Sequence, residues 1–133
     1  MDRLPEVAAD IRTRIMEVVG RSGGHLTSNL GVTELTIALH RVFDFARDRL
    51  LWDVGHQCYP HKLLTGRNAQ FDTLRKTGGI SGIPCVAASE FDLFKLGHAG
   101  TAVATGVGMA RADEILGRDS RVVALVGDAS IVN

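Results

Sequence analysis

Asp128 is the residue whose position in the sequence points most directly to chemistry. It follows Gly127 and an apolar run over residues 121–126, a pattern that predicts a buried strand ending just before the aspartate. Open α/β sheets bind ligands at the carboxyl ends of their strands, and a carboxylate supplies the hard oxygen that Mg²⁺ prefers when it holds a diphosphate. An aspartate here is also typical of a helix N-cap, so the motif alone leaves both interpretations open.

Three histidines lie directly after glycines: His25, His56 and His98. Histidine gains and loses a proton near neutral pH, so each is a candidate acid, base or hydrogen-bonding group beside a ligand. For His25 the alternative is an exposed loop histidine, and for His56 the alternative is a helix cap. Three such residues in 133 favour a shared functional region over coincidence.

A zinc site is the other chemistry that His56 suggests, because Cys58 and His61 lie close to it in the sequence. Structural zinc takes four ligands in recognised spacings, and no second Cys/His pair occurs nearby. The spacing therefore favours hydrogen bonding of His56 to a phosphate or a cofactor.

The segment Gly97-His98-Ala99-Gly100 comes immediately before a predicted helix that is rich in alanine and glycine. The free N–H groups and the dipole at the start of a helix attract anions. We therefore expect this segment to form an anion site suited to a phosphate group.

The helices that must position these residues are predicted from apolar spacing. The apolar residues within the range 5–21 fall on one stripe at helical spacing, which predicts a helix there. A loop is expected over residues 24–29. A second helix is expected from about residue 32 to residue 43, with Leu35, Leu39 and Val42 on its buried face. A short helix is expected over residues 60–65. A slim helix, rich in alanine and glycine, is expected over residues 101–116.

Two apolar runs, residues 49–54 and 121–126, have the length and flanks of buried strands. The second run is apolar throughout, as is typical of a parallel strand covered on both faces. Residues 77–98 are rich in glycine and predict an irregular functional loop. Helices alternating with apolar strands indicate an α/β fold with a parallel sheet flanked by helices.

Composition limits the classes of partner. Lysine plus arginine and aspartate plus glutamate both number 15, so no charge excess favours nucleic acid or a membrane surface. No signal-like or membrane-length apolar segment occurs, and two unpatterned cysteines indicate a reduced compartment. The sequence therefore predicts one cytoplasmic domain over residues 1–133, with neither nucleic acid nor membrane as a partner.

Taken in order, a series of short motifs resembles the 1-deoxy-D-xylulose-5-phosphate synthase family of transketolase-type thiamine-diphosphate enzymes. The resemblance covers essentially the whole chain, and the ordered set is highly specific. The motifs are Gly-Gly-His-Leu at 23–26, Asn-Leu-Gly-Val at 29–32, Glu-Leu-Thr-Ile-Ala-Leu-His at 34–40, Trp-Asp-Val-Gly-His-Gln at 52–57, Tyr-Pro-His-Lys at 59–62, Leu-Thr-Gly-Arg at 64–67, Gly-Gly-Ile-Ser-Gly at 78–82, Gly-His at 97–98 and Val-Gly-Asp at 126–128.

This resemblance implies a transketolase-like cofactor domain that binds thiamine diphosphate and Mg²⁺. It implies the condensation of pyruvate with glyceraldehyde 3-phosphate with loss of carbon dioxide, which feeds isoprenoid, thiamine and pyridoxal synthesis. It also implies a homodimer. The cofactor supplies the carbanion chemistry, so the protein's task is binding, orientation and proton management.

Residue by residue, the resemblance implies that His25 and His56 are catalytic, with His56 also near the reacting end of the cofactor. It implies that Asp128 is the magnesium ligand. The remaining cofactor contacts that it implies are Gly97, His98, Ala99, Ala129 and Ser130.

The chain departs from the family pattern at two alanines and in its extent. Ala99 stands where the family more often has serine, and Ala129 replaces the second glycine of Gly-Asp-Gly. The added methyl group of Ala129 either narrows the approach to the diphosphate or is tolerated by the turn. The family's second metal-binding asparagine and its cofactor-activating glutamate lie further along, so we expect a truncated, N-terminal portion of the domain that is inactive alone.

Two other readings are open from the sequence. One is another transketolase-type enzyme or a dehydrogenase E1 component, although we do not expect Trp-Asp-Val-Gly-His-Gln followed by Tyr-Pro-His-Lys in those proteins. The other is a non-catalytic remnant or interaction module that pairs with a separately encoded half.

Overall fold

A computed structural model describes residues 3–95 and 97–132 of the chain. These residues form two compact units, Met1–Val42 with His56–Gly82 and Phe43–Gly55 with Ile83–Asn133. Among the described residues, no helix has both the length and the apolar character needed to cross a membrane.

The first unit begins with helix α1, Leu4–Ser22, which agrees with the predicted helix over residues 5–21. Proline lies in its first turn, where a missing N–H costs nothing. The helix ends at Gly23, whose φ of 70° an L side chain rarely adopts. The predicted apolar stripe forms the core of this unit, with Ile11, Ile15, Val18 and Val19 all buried.

Two helices follow where the sequence predicted a loop and one helix. Helix α2 spans Leu26–Leu30, and helix α3 spans Thr33–Val42. The loop predicted over residues 24–29 is therefore wrong for most of its length, because a helix of five residues carries too few positions to show a period.

The predicted buried face of α3 is also wrong. Leu35 and Val42 are 50% and 68% exposed, whereas Thr33 and Thr36 are fully buried beside Ile37. The two threonine hydroxyls donate to the carbonyls of Asn29 and Val32, four residues earlier, at 3.0 and 2.7 Å. Because these bonds satisfy the hydroxyls within the helical segment, threonine can fill the core in place of leucine.

Two short helices complete the first unit. Helix α4, Tyr59–Leu64, matches the short helix predicted over residues 60–65, and a 3-10 helix follows over Asn68–Thr73. The Tyr59 and Phe71 rings meet edge to face with centroids 6.0 Å apart, and both residues are fully buried.

The second unit is built on a two-stranded parallel sheet. Strand β1, Arg49–Trp52, pairs with strand β2, Val122–Leu125, in the register Arg49↔Val122 to Trp52↔Leu125. This confirms the α/β class with a parallel sheet. The expectation that the second strand is covered on both faces is wrong for the described residues, since Leu125 is buried but Ala124 is exposed.

Helix α5, Thr101–Ile115, packs against both strands and confirms the predicted slim helix. A Cβ atom at Gly106 would lie 3.5 Å from Leu51 and from Val122, an ordinary van der Waals distance, so this side of the helix faces the sheet. Gly108 faces open space, so only part of the alanine and glycine content serves close packing. Between residues 77 and 98 the described residues contain no helix or strand, as predicted.

Candidate functional site

His25 and His56 lie side by side in the first unit. His25 is the residue before α2 and is exposed, and His56 is half-buried in the turn that leads to α4. Their ring centroids are 5.0 Å apart with an angle of 65° between the ring planes. Two imidazoles that lie 31 positions apart in the sequence are therefore neighbours in the folded first unit.

Asn29 holds the backbone of both histidines. Its side-chain Nδ2 donates to the carbonyl oxygen of His25 at 2.5 Å and to the carbonyl oxygen of His56 at 2.9 Å. Its Oδ1 accepts the backbone N–H of Tyr59 at 2.8 Å. Asn29 is fully buried, so one side-chain amide joins three separate points of the backbone away from solvent.

The glycine before His25 is required by close packing. Gly24 has a φ of 142°, and a Cβ atom there would lie 2.9 Å from the hydroxyl oxygen of Tyr59. The same hydroxyl lies 3.4 Å from the position a Cβ would take at Gly82. Burial raises the pKa of Tyr59 above its ordinary value, so this hydroxyl stays protonated at neutral pH.

A second pair of histidines in the first unit is of a different kind. His40 Nε2 and His61 Nδ1 lie 2.9 Å apart, with His61 fully buried. Burial, together with the neighbouring His61, lowers the pKa of His40 to about 4. His40 is therefore uncharged at physiological pH in the folded chain.

In the second unit, the predicted site residues over 128–130 lie at the carboxyl end of β2, and those over 97–99 lie just before α5. Parallel strands present their carboxyl ends at one edge of a sheet. The turn at residues 53–55 follows β1, and the residues from Gly127 to Ser130 follow β2. The turn after β1 is tight, because Val54 has a φ of 61° and a Cβ at Gly55 would lie 2.3 Å from Pro84 Cδ.

Asp53 organises this edge of the sheet. Its carboxylate accepts the backbone N–H groups of Gly100 and Ala102 at 3.1 and 3.0 Å. Burial opposes its ionisation, but these two bonds and a bond from the Ser130 side chain outweigh it and hold the pKa of Asp53 below its ordinary value. One buried carboxylate therefore joins the start of α5 to the segment after β2.

The start of α5 is consequently not the open anion site that the sequence predicted. N–H groups at the start of the helix already donate to Asp53. The negative charge of this carboxylate also offsets the positive end of the helix dipole. Gly97, His98 and Ala99 lie just before this turn and are exposed. The N–H of Gly97 donates to the carbonyl of Val54 at 3.2 Å, which fixes the start of the segment.

Asp128 begins a 3-10 helix, Asp128–Val132, and is exposed. Its Oδ1 accepts the N–H of Ala129 at 2.9 Å, and the N–H of Ser130 donates to the carbonyl of Gly127 at 3.0 Å. Ala129 does not need a positive φ, so the turn accommodates alanine without backbone strain.

Asp128 provides one oxygen ligand of the kind that a magnesium ion binds. Asp128 is an exposed carboxylate at a sheet edge, and Mg²⁺ binds through one or two carboxylates with phosphate and water oxygens. Within residues 3–95 and 97–132, no group of three histidine, cysteine or acidic side chains is placed to hold a metal ion by itself. A metal ion here would need further oxygen ligands besides the Asp128 carboxylate.

Sequence reasoning missed the two residues that organise these regions. Asn29 and Asp53 both lie inside motifs that carried the family resemblance, but neither was identified as a candidate site residue. A signal was present for Asp53, which is an acidic residue near the end of a predicted strand, three positions before His56. Asn29 carried no comparable signal, since its partners come from the backbone.

Comparison with known proteins agrees with the motifs. The sequence profile of 1-deoxy-D-xylulose-5-phosphate synthase matches residues 1–133. Proteins named 1-deoxy-D-xylulose-5-phosphate synthase from Neisseria meningitidis serogroup C (strain 053442) and Desulforudis audaxviator are each 52% identical to the chain, over 97% and 98% of it. One named 1-deoxy-D-xylulose-5-phosphate synthase 1 from Geobacter sulfurreducens is 53% identical over 98% of the chain. In each case the match covers 20% of the relative's own length.

Proposed function

The chain belongs to the 1-deoxy-D-xylulose-5-phosphate synthase family, and we propose that it supplies part of a thiamine-diphosphate and Mg²⁺ site for the reaction of that family. The reaction joins pyruvate to glyceraldehyde 3-phosphate and releases carbon dioxide, giving a precursor for isoprenoid, thiamine and pyridoxal synthesis. The chain spans about one fifth of the length of its curated relatives. The activity, both substrates and a homodimeric state are therefore part of this proposal.

The observation that carries the proposal is the convergence of His25 and His56. Their rings are 5.0 Å apart although 31 positions separate them in the chain, and a buried amide joins their backbones. Exposed or half-buried imidazoles held at a fixed spacing are suited to moving protons at a substrate. We assign His25 to proton transfer at the substrate, and His56 to the same task and to contact with the cofactor.

The second unit is assigned to cofactor binding. Thiamine diphosphate supplies a carbanion when it is bound, and the protein holds and orients it. Asp128 would bind the Mg²⁺ that holds the diphosphate, with Ala129 and Ser130 beside it. Gly97, His98 and Ala99 would line the cofactor as a fixed segment before α5, whose own first turn is committed to Asp53.

Calorimetric titration of the chain with thiamine diphosphate in the presence of Mg²⁺ tests this assignment. We expect weak binding that depends on the metal, because Mg²⁺ favours a nearly ideal octahedron of oxygens and Asp128 supplies one of them. Asp128→Asn should abolish the heat of binding. Asp119→Asn is the matched control, since Asp119 is an exposed aspartate of the same unit, and it should bind as the wild type does.

Equal heats for wild type and Asp128→Asn, or no metal-dependent heat at all, would contradict the assignment. An assay with pyruvate and glyceraldehyde 3-phosphate should be run beside the titration. We expect no turnover by this chain alone, because the family's cofactor-activating glutamate has no counterpart among the motifs it carries.

A further inference from the structure

The side-chain amide of Asn29 contacts the backbone at both candidate catalytic histidines and at the start of α4. Asn29 Nδ2 donates to the carbonyls of His25 and His56, at 2.5 and 2.9 Å. Asn29 Oδ1 accepts the N–H of Tyr59 at 2.8 Å. Each polar atom of the amide therefore has a backbone partner.

These partners fix the orientation of the amide. Two carbonyl oxygens require donors, and the Tyr59 N–H requires an acceptor, so exchanging the nitrogen and oxygen of Asn29 would break all three bonds. A carboxylate of the same shape has no donors, and alanine has no polar atoms. Among residues of this size, only asparagine offers two N–H donors and an acceptor on one planar group.

The Asn29 amide restrains the backbone at His25 as well as at His56. His25 follows two glycines with positive φ and precedes a helix of only five residues. Glycine leaves the backbone many conformations, so the bond from Asn29 and the packing of Gly24 against Tyr59 both restrict this segment. The bond from Asn29 ties the His25 carbonyl to the same nitrogen atom that holds the carbonyl of His56.

We propose that Asn29 is a positioning residue that sets the spacing of the His25 and His56 imidazoles through their backbone carbonyls. The role rests on the proposed function of the two histidines. Asn29 has no contact with solvent, so it acts through the histidines and is not itself catalytic.

Histidine NMR of the full chain tests this role, because the sequence contains only five histidines. The ring signals of the pair are assigned with His25→Gln and His56→Gln. In the wild type we expect a nuclear Overhauser cross-peak between the two rings. Asn29→Ala should reduce that cross-peak several-fold or remove it.

Thr36→Val is the matched control. Thr36 is buried in the same unit, and its hydroxyl donates to the Val32 carbonyl at 2.7 Å, so valine removes a buried hydrogen bond without touching the histidines. We expect this variant to lose stability and to keep the His25–His56 cross-peak. Asn29→Ala with the cross-peak at wild-type intensity would overturn the proposal.

Asn29→Asp provides a second variant, since it keeps the acceptor for Tyr59 and removes both donors; it too should lose the cross-peak. If neither variant folds, exchange of the Asn29 side-chain amide protons in the wild type decides. We expect them to exchange far more slowly than those of the exposed Asn68, and equal rates would overturn the proposal. These measurements need no ligand, so failure of cofactor binding and failure of the positioning role are distinguishable.

Discussion

Asn29 and Asp53 do the same structural task in the two units with opposite chemistry. Asn29 is a neutral amide whose N–H groups gather carbonyl oxygens, whereas Asp53 is a carboxylate that gathers backbone N–H groups at the start of α5. Both side chains are buried. Each one fixes a loop that carries candidate site residues.

The difference between them explains what each region can offer to a ligand. The Asn29 amide is uncharged, so the groups that this segment can offer to a ligand are the side chains of His25 and His56. The carboxylate instead neutralises the positive end of a helix, and anion binding must then depend on other groups at that sheet edge, Asp128 with a metal ion among them. A helix start preceded by glycines is therefore an anion site only if no internal carboxylate already occupies it.

Removing the Asp53 carboxylate should cause the largest loss in the free energy of unfolding. Asp53→Ala leaves buried N–H groups at the start of α5 without their acceptor, and we expect a loss of about 4 kcal/mol in the free energy of unfolding. Asn29→Ala should cost about 2 kcal/mol, because it leaves one buried N–H unpaired, that of Tyr59, and its other two partners are carbonyls, which are less costly to leave unpaired. Urea unfolding measures both, and a larger loss for Asn29→Ala would reverse the comparison.

The turn that presents Asp53 should be nearly as sensitive. Gly55→Ala places a methyl group 2.3 Å from Pro84 Cδ at a residue with a φ of 94°, and we expect a loss of about 3 kcal/mol. Gly108→Ala is the control, since Gly108 is helical with nothing within 4 Å, and alanine there should gain about 1 kcal/mol. Thermal and urea unfolding that ranked the two glycines equally would refute the packing account of this turn.

Acid should destabilise the first unit at a higher pH than the second. The pKa of His40 falls to about 4 in the folded chain, below its ordinary value near 6.5, so the folded state binds fewer protons. The stability that this provides is complete above about pH 6.5 and is lost as the pH falls toward 4. We expect a loss of about 2 kcal/mol over that window.

The pKa of Asp53 and that of Asp113, lowered to about 2 by Arg49 and Ser120, keep the carboxylates of the second unit ionised over the same window. Their stability is lost only as the pH falls further through those lowered values. Urea unfolding at a series of pH values measures this. His40→Gln should flatten the profile between pH 6.5 and 4, and the exposed His98→Gln should leave it unchanged; the reverse result would remove His40 as the cause.

The smallest effect is expected at Ala129. Its backbone does not need a positive φ, so Ala129→Gly relieves no strain and should lower the free energy of unfolding by less than about 1 kcal/mol. Differential scanning calorimetry measures this change. A gain in stability would mean that the methyl group is strained in the turn after Asp128.

The elements that show strong periodicity could be predicted from the sequence. The stripe of α1, the slim α5 and both strands follow from the spacing and length of their apolar runs. The buried face of α3 could not, because counting apolar residues assigns Leu35 inward and overlooks threonines that bond to their own backbone. Burial of a polar residue depends on where its hydrogen bonds go.

The candidate site residues could likewise be predicted only in part. Residue type and flanking glycines identified His25, His56, His98 and Asp128 as candidates, and the structure brings the first two together. The sequence did not show that Asn29 and Asp53 position these segments, since most of their partners are backbone atoms distant in the sequence. A pattern of side chains predicts candidate chemistry, whereas the group that positions it depends on the folded backbone.

Histidine NMR of the full chain during titration with excess thiamine diphosphate and Mg²⁺ tests the cofactor assignment most directly. The five histidines divide into the three to which we assign a catalytic or cofactor-binding role, His25, His56 and His98, and the pair His40 and His61. The assignment predicts that the ring signals of the first three shift with added cofactor and that those of the pair stay in place. Unmoved signals for the first three, or equal shifts for all five histidines, would contradict it.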